Sequence, residues 1–389
     1  MKVSKFQIAE RLSGVNEYYF SAKLREIAQM QKEGKRIINL GIGSPDLPPH
    51  DSVLQELTHT AYLCDHHGYQ SYTGIPELRK AFADWYLKYY GVTLNPEKEI
   101  LPLMGSKEGI MHIAMTFLDE KVEVLVPDPG YPAYAAVSSI SGAKVRVYDL
   151  KENNFWLPDL ESLEQQGLEK AKLMWVNYPN MPTGASPDVS FYQKLVDFGK
   201  KHSILIVNDN PYSFILNPTP RSILSIPGAM ENCIELNSLS KSHNMAGWRI
   251  GMLGGAEVYL QQILKFKSNM DSGMFKPAQK AAVKALELSS DWFDKLNGVY
   301  LERRKMAEKI MNLLGVHFQK DQTGLFLWGK IPQTYQSGYE LCDHLLYDAG
   351  VFITPGGIFG KNGDRYIRIS LCSTKEILEE AYTKMEEKL

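Results

Sequence analysis

Four short apolar runs, at residues 122–126, 173–176, 204–207 and 233–236, limit what this chain can fold into more than any other feature. They are rich in Val, Ile and Leu, as strands buried on both faces are. Longer amphipathic stretches separate them, and that alternation implies an α/β fold with a largely parallel sheet. The residues after each run add a second constraint. The runs lead into Pro127-Asp128-Pro129-Gly130-Tyr131, Asn177-Tyr178-Pro179-Asn180, Asn208-Asp209-Asn210-Pro211-Tyr212 and Asn237-Ser238-Leu239-Ser240-Lys241. Polar and aromatic residues therefore gather at the carboxyl ends of several strands, the edge where open α/β sheets bind ligands.

Ahead of the first run, residues 106–117 read as a helix, with Ile110, Ile113, Ala114 and Phe117 on one face. Gly105-Ser106-Lys107 opens it. After about residue 285 the pattern changes to long amphipathic helices followed by short strands. Residues 290–314 are helix-rich, and 324–329 and 366–371 read as strands. The expected organisation is a large domain over 47–284 and a smaller α+β domain built from 1–46 and 285–389. The arm containing Gly41-Ile42-Gly43-Ser44-Pro45-Asp46 is expected to cross between them. Gly41 and Gly43 do not make a dinucleotide fingerprint, because Asp46 stands where the third glycine belongs.

Composition excludes more than it identifies. The 389 residues are 44% hydrophobic and 23% charged, with a net charge of -2. Nothing there suggests a nucleic-acid footprint or a membrane surface, and no apolar run approaches a membrane span. The opening Met1-Lys2-Val3-Ser4-Lys5-Phe6 lacks the apolar core of a signal peptide. Cys64, Cys233, Cys342 and Cys372 have no metal or redox spacing and read as reduced core or near-core thiols of a cytoplasmic protein. His66-His67 has no partner at ligand spacing, so it reads as a turn or helix-end pair and no metal site is expected.

The fourth run carries the chemistry. In the stretch from Ser238 to Gly251, Lys241 is flanked by serines and followed by Arg249 and two glycines. A lysine amine can condense with an aldehyde, and hydroxyls with an arginine suit a phosphate. A cofactor with both groups is pyridoxal 5'-phosphate (PLP). Such a cofactor also needs a carboxylate against its pyridine nitrogen, and Asp209 at a buried strand end suits that role. Tyr212 is placed to reach the phenolic oxygen, and Tyr131 to stack on the ring. A helix N-terminus at Gly105-Ser106-Lys107 would bind the phosphate with Ser238, Ser240 and Arg249; the competing reading of Ser106 is a plain helix cap.

With those residues in view, the chain resembles the class I/II PLP-dependent aminotransferases of fold type I, the aspartate aminotransferase superfamily. The resemblance rests on Gly74-Ile75-Pro76-Glu77-Leu78-Arg79, Gly105-Ser106-Lys107-Glu108-Gly109, Pro182-Thr183-Gly184, Asp209 with Tyr212, and the segment from Ser238 to Gly251. It spans residues 38–371. It implies that Lys241 forms the Schiff base and shuttles the α proton. It also implies that Lys107 holds the phosphate through its backbone, and that Tyr69 reaches the phosphate of a neighbouring subunit. Arg368 would clamp the substrate α-carboxylate, with Gly43 beside it. A homodimer with shared active sites follows. So does ping-pong transfer from an L-amino acid to a 2-oxo acid, 2-oxoglutarate being the expected acceptor. Residues 105–110 and 268–275 look most like the branch of aspartate and LL-diaminopimelate aminotransferases, which suggests donors of that kind.

Two positions depart from the family pattern. Met181 stands where an asparagine precedes Pro-Thr-Gly, and Asn180 lies one residue earlier. Either the loop shifts so that Asn180 serves the cofactor, or Tyr212 acts alone. Asn210 stands where an acidic residue often follows the aspartate. Other readings are a PLP-dependent β-lyase, which would share the cofactor residues, and a non-catalytic PLP-binding homologue.

Overall fold

The computed structural model describes residues 6, 8–12, 17 and 19–388; most of the chain ahead of residue 19, including residues 1–5 of the opening stretch, lies outside them. Thirteen strands occur among the described residues: β1 (Ile38–Asn39), β2 (Ile100–Leu103), β3 (Glu123–Asp128), β4 (Lys144–Asp149), β5 (Ala171–Val176), β6 (Leu205–Asp209), β7 (Cys233–Ser238), β8 (Gly251–Gly255), β9 (His317–Phe318), β10 (Phe326–Lys330), β11 (Val351–Phe352), β12 (Thr354–Pro355) and β13 (Tyr366–Ser370). The helices are α1 (Tyr19–Lys32), α2 (Asp51–Ala61), α3 (Pro76–Tyr90), α4 (Ser106–Phe117), α5 (Pro132–Ile140), α6 (Leu160–Gln165), α7 (Val189–His202), α8 (Leu239–Ser242), α9 (Glu257–Lys267), α10 (Lys276–Leu286), α11 (Ser290–Leu313), α12 (Gly338–His344) and α13 (Lys375–Glu386), with short 3-10 and π turns between them.

The four apolar runs form neighbouring strands of a seven-stranded sheet in the order β2-β8-β7-β6-β5-β3-β4. All pairings are parallel except those of β8, which runs against both β2 and β7. Because β3 pairs with β4 on one side and β5 on the other, the connections leave this point in opposite directions and open a crevice at the carboxyl edge. Alternate residues of each strand enter opposite cores. Leu173, Trp175 and Val207 pack with α4, α5 and α9, whereas Met174, Val176 and Ile206 face the side that holds α3 and α7. Each such side chain contributes roughly 1.5–3 kcal/mol on full burial. Both faces are covered, which is why these strands read as continuous apolar runs.

The helices start where local chemistry favours it. Asp188 accepts from Phe191 N–H at the start of α7, and Thr374 from Ile377 N–H at the start of α13. Pro76 opens α3, and Gly91 ends it in the left-handed region with φ of 67°. In contrast, α4 has Gly105 as its cap residue, which offers no side-chain cap.

The C-terminal segment builds a second sheet, antiparallel throughout, in the order β12-β13-β10-β9. The N-terminal arm joins it to the rest: β1 pairs in parallel with β11, and Arg303 on α11 grips Asp46 through two hydrogen bonds of 2.7 Å. The expected strand at 324–329 is β10, which starts two residues later and ends one later, and residues 366–371 give β13, which is buried along its whole length. One thiol departs from expectation. Cys64 is exposed, because it sits in a single 3-10 turn at the surface; the other three are buried, and all four are free. His66 is buried against Thr60 O, a helix-end role. No helix among the described residues is long and apolar enough to cross a membrane.

Candidate active site

The loops after β3, β5, β6 and β7 close around a cavity of about 510 Å³, completed by α1, the arm at Ile42-Gly43-Ser44 and the second sheet. Of the residues singled out in the sequence, Gly43, Ser106, Lys107, Tyr131, Asp209, Tyr212, Ser238, Ser240, Lys241, Arg249 and Arg368 all line it.

Asp209 ends β6 at 5% exposure. Its Oδ2 accepts from Tyr134 Oη at 2.8 Å, and its Oδ1 has no hydrogen-bond partner. Burial raises its pKa to about 6, against the lowering effect of the Tyr134 hydrogen bond. A buried carboxylate with one empty oxygen on a cavity wall asks for a cationic donor. Tyr134 itself is held by stacking on Trp175, with ring centroids 5.2 Å apart and planes 8° from parallel. Asn177 fixes the strand end by donating to Asp209 O at 2.5 Å.

Lys241 lies on α8, directly after β7, and its Nζ donates to Gly43 O at 2.6 Å. Burial lowers the pKa of its amine. The charges of Arg368 and Arg249 act in the same direction, while Cys372 and Asp209 oppose it. The amine is thereby moved toward its nucleophilic form. A Cβ on Gly43 would meet Phe326 at 2.2 Å, so only glycine brings this carbonyl so close to the lysine.

At one end of the cavity, the uncapped N-terminus of α4 meets Ser238, Ser240 and Arg249. Ser238 Oγ donates to Ser240 Oγ at 2.7 Å, and Arg249 Nη1 donates to Ala246 O at 2.9 Å. Gly105 has φ of +84°, and a Cβ there would lie 2.3 Å from Arg249 Nη2. Ser106 is the first helical residue, so the capping alternative for it is not realised. A helix N-terminus without a side-chain cap, two hydroxyls and a guanidinium packed against Gly105 suit a phosphate.

At the other end, Arg368 lies on β13 at 4% exposure. Its Nη2 donates to Gly41 O at 2.7 Å, and its Cζ lies 3.9 Å and 4.7 Å from the ring centroids of Phe326 and Phe359. Met181 is the neighbour that the family pattern replaces with asparagine: its Sδ lies 3.2 Å from Arg368 Nη1. The loop does not shift to substitute Asn180. Its Oδ1 accepts from the Thr183 N–H and Oγ1, its Nδ2 donates to Asn177 O, and the residue does not line the cavity. The expectation that Asn180 contacts the cofactor is corrected accordingly. Tyr69 also lies off this cavity, 93% exposed beside a surface groove lined by Gly273 and Phe275. Tyr134 and Asn177 are functional candidates that the sequence reading missed, although Asn177 stood in a loop it had marked.

The family model of the class I and II aminotransferases matches residues 35–385. The chain belongs to that family. The aminotransferase is 39% identical to an LL-diaminopimelate aminotransferase of Aquifex aeolicus, over 98% of this chain and 99% of the relative. It is 40% identical to one of Dehalococcoides mccartyi, over 97% and 98%. Among solved structures, substrate-bound BacF of Bacillus subtilis superposes with a TM-score of 0.93 at 36% identity, covering 98% of each chain. The fold is that of fold type I, as the mostly parallel sheet with flanking helices requires.

Enzymes of this family use PLP, and the site of this aminotransferase fits it at both ends. The empty Oδ1 of Asp209 suits a protonated ring nitrogen, and the uncapped α4 suits the phosphate. Lys241 lines the same cavity as both.

Proposed function

We propose that this PLP-dependent aminotransferase moves the amino group of an L-amino acid to a 2-oxo acid, 2-oxoglutarate in the simplest case, by alternating half-reactions at Lys241. The observation that carries this reading is the convergence of a depressed lysine amine, a half-empty buried carboxylate and an uncapped helix N-terminus on one cavity. PLP supplies an aldehyde for the amine and a ring that accepts electrons when the α proton leaves. Asp209 keeps the ring nitrogen protonated, and Tyr134 holds that carboxylate in place. Tyr212 would donate toward the ring oxygen, and Tyr131 would lie against the ring. Ser106, the Lys107 backbone, Ser238, Ser240 and Arg249 hold the phosphate. Lys241 Nζ would take the α proton of the substrate and deliver it to the aldehyde carbon of the cofactor. Arg368 and the Gly43 backbone orient the substrate α-carboxylate.

The working unit in this reading is a cytoplasmic homodimer. In support, Tyr69 stands exposed beside a surface groove and does not line the cavity of its own subunit. The domain division at residues 46/47 and 284/285 accords with the separate sheets on either side of it.

For the donor, the names of the relatives favour LL-diaminopimelate, with aspartate as the simpler analogue. A second donor reading comes from the wall itself. Phe20, Leu24, Ile42 and Phe326 line the outer cavity, and its arginines are already committed to the phosphate and the α-carboxylate. That wall suits an apolar or aromatic side chain. A half-reaction screen separates them: holoenzyme is mixed with single amino acids and the loss of the cofactor absorbance band is followed. The screen supports diaminopimelate if it is converted fastest, and the apolar reading if phenylalanine or leucine is. Lys241→Ala is expected to lower multiple turnover by on the order of 10⁴-fold; retained turnover in that variant would sink the mechanism.

A further inference from the structure

Four ionisable side chains outside the cavity lie together behind the N-terminus of α4. Glu108 and His112 are one turn apart on that helix, with Glu108 Oε1 3.5 Å from His112 Nε2. Asp271, just after α9, has its Oδ2 2.7 Å from Lys267 Nζ. Potential ligand atoms of Glu108, His112 and Asp271 all fall within 4.8 Å of one another. The His112, Lys267 and Asp271 side chains are 0%, 1% and 2% exposed. Neither nitrogen of His112 has a hydrogen-bond partner, nor does Glu108 Oε1. Two carboxylates and an imidazole suit a divalent cation, but the Lys267 ammonium already stands at Asp271 Oδ2. A metal ion there would leave that ammonium buried without a counter-charge.

A buried charged set of this kind is a weak source of stability, because desolvation offsets most of the Coulombic gain. Its connections lead instead to the cofactor site. The second oxygen of Glu108, Oε2, accepts from Met104 N–H at 2.6 Å, which fixes the turn immediately ahead of Gly105 and Ser106. The second oxygen of Asp271, Oδ1, accepts from Gly273 N–H at 3.1 Å. Gly273 has φ of +82°, and a Cβ there would lie 2.5 Å from Gln70 O, so this glycine seats the loop that carries Tyr69. One end of the cluster therefore holds the entrance of α4, and the other holds the Tyr69 loop.

We propose that Glu108, His112, Lys267 and Asp271 form a positioning cluster that fixes the α4 phosphate cup and the Tyr69 loop relative to each other. Phosphate affinity then depends on residues that never touch the phosphate. This rests on the assignment of the α4 N-terminus to the cofactor phosphate.

The test compares PLP with pyridoxal, which lacks the phosphate, by titrating each into full-length, cofactor-free protein and following the quenching of tryptophan fluorescence. Glu108→Ala is expected to weaken PLP binding by about 10–100-fold, the loss of one charge-assisted hydrogen bond, and to leave pyridoxal binding unchanged within about twofold. Glu108→Gln, whose amide oxygen still accepts from Met104 N–H, is expected to recover most of the loss. Should Glu108→Ala not fold, Asp271→Asn keeps the bond to Gly273, removes the Lys267 counter-charge, and is read by the same two titrations. Equal weakening toward both ligands, or unchanged PLP affinity, overturns the positioning role. A wild-type protein that binds neither ligand overturns the cofactor reading on which the proposal rests.

Discussion

Glu235 and Asp209 occupy adjacent strands of one sheet, both out of solvent, and are surrounded in opposite ways. Glu235 receives four donors: Tyr86 Oη at 2.9 Å and Ser222 Oγ at 2.7 Å on one oxygen, Asn208 Nδ2 and Ile223 N–H at 3.0 Å on the other. Asp209 receives one, from Tyr134, and its second oxygen faces the cavity wall empty. Burial raises the pKa of both groups. The difference separates a polar group that the fold has completed from one that waits for something outside the chain. Being buried and charged is common to both, so it does not mark the functional residue. Incomplete hydrogen bonding on the wall of a cavity is what sets Asp209 apart.

This contrast can be broken by exchange of function. Glu235→Leu leaves four donors facing an apolar side chain and is expected to cost about 3–5 kcal/mol in a denaturant melt, while the folded fraction keeps its kcat. A lowered kcat per folded molecule would dissolve the distinction. Asp209→Asn is expected to do the reverse. Its kcat/KM falls by roughly 10²–10³-fold, the size typical of losing one preorganised electrostatic partner.

Cofactor-free Asp209→Asn protein should also be more stable than wild type at neutral pH. The sign follows from the raised pKa of Asp209: native protein binds the proton more tightly than unfolded protein, between the unfolded value of 3.8 and the folded value of about 6. Its contribution is full below pH 3.8 and is lost as pH rises through about 6, a difference of about 2–3 kcal/mol. The stabilities of wild type and Asp209→Asn should therefore converge in acid, separate between pH 3.8 and about 6 and keep a constant difference above that; a difference that does not change with pH would mean that Asp209 carries no desolvation burden.

Smaller changes sharpen the comparison. Tyr134→Phe removes the one donor that Asp209 has and is expected to lower kcat/KM by about 3–10-fold, with the acid limb of the pH–rate profile moved upward. Met181→Asn sets an amide against Arg368 Nη1 in place of a thioether and should lower KM for amino acids by about 2–5-fold, with kcat little changed. A rise in KM would indicate that the sulfur and the aromatic rings already hold the guanidinium in its working position.

The sheet was legible in the sequence because its strands are covered on both faces, so burial and β-branched composition coincide in every apolar run. That Lys241, Asp209 and the α4 N-terminus share one cavity was legible because each ends a strand, follows one directly or opens a helix. Asn180 was misread for a physical reason: two asparagines flank Tyr178-Pro179, and which one points to the cavity is set by hydrogen bonds within the loop. Asn177 Oδ1 holds Met181 N–H at 2.8 Å, and that contact turns Met181 inward and Asn180 away. Tyr134 was overlooked because its meaning comes from Asp209, on a different strand. The cluster of Glu108, His112, Lys267 and Asp271 was invisible for the same reason: its two halves belong to distant helices and carry no shared spacing. Cys64 showed that a scattered cysteine pattern does not report depth.

The reversed direction of β8 has one more consequence. Because β7 and β8 are neighbours running in opposite senses, the chain passes from one to the other without a crossover helix, and residues 239–250 carry both Lys241 and Arg249. Lys241 and Arg249, the amine and the guanidinium proposed to hold the cofactor, are thus mounted on a single short bridge with both feet in the sheet. Added length elsewhere, in the surface connections of the smaller sheet for example, would be absorbed at the periphery. Added length in this bridge would change the span between the two grips themselves, so it is the stretch of the chain least able to accept an insertion.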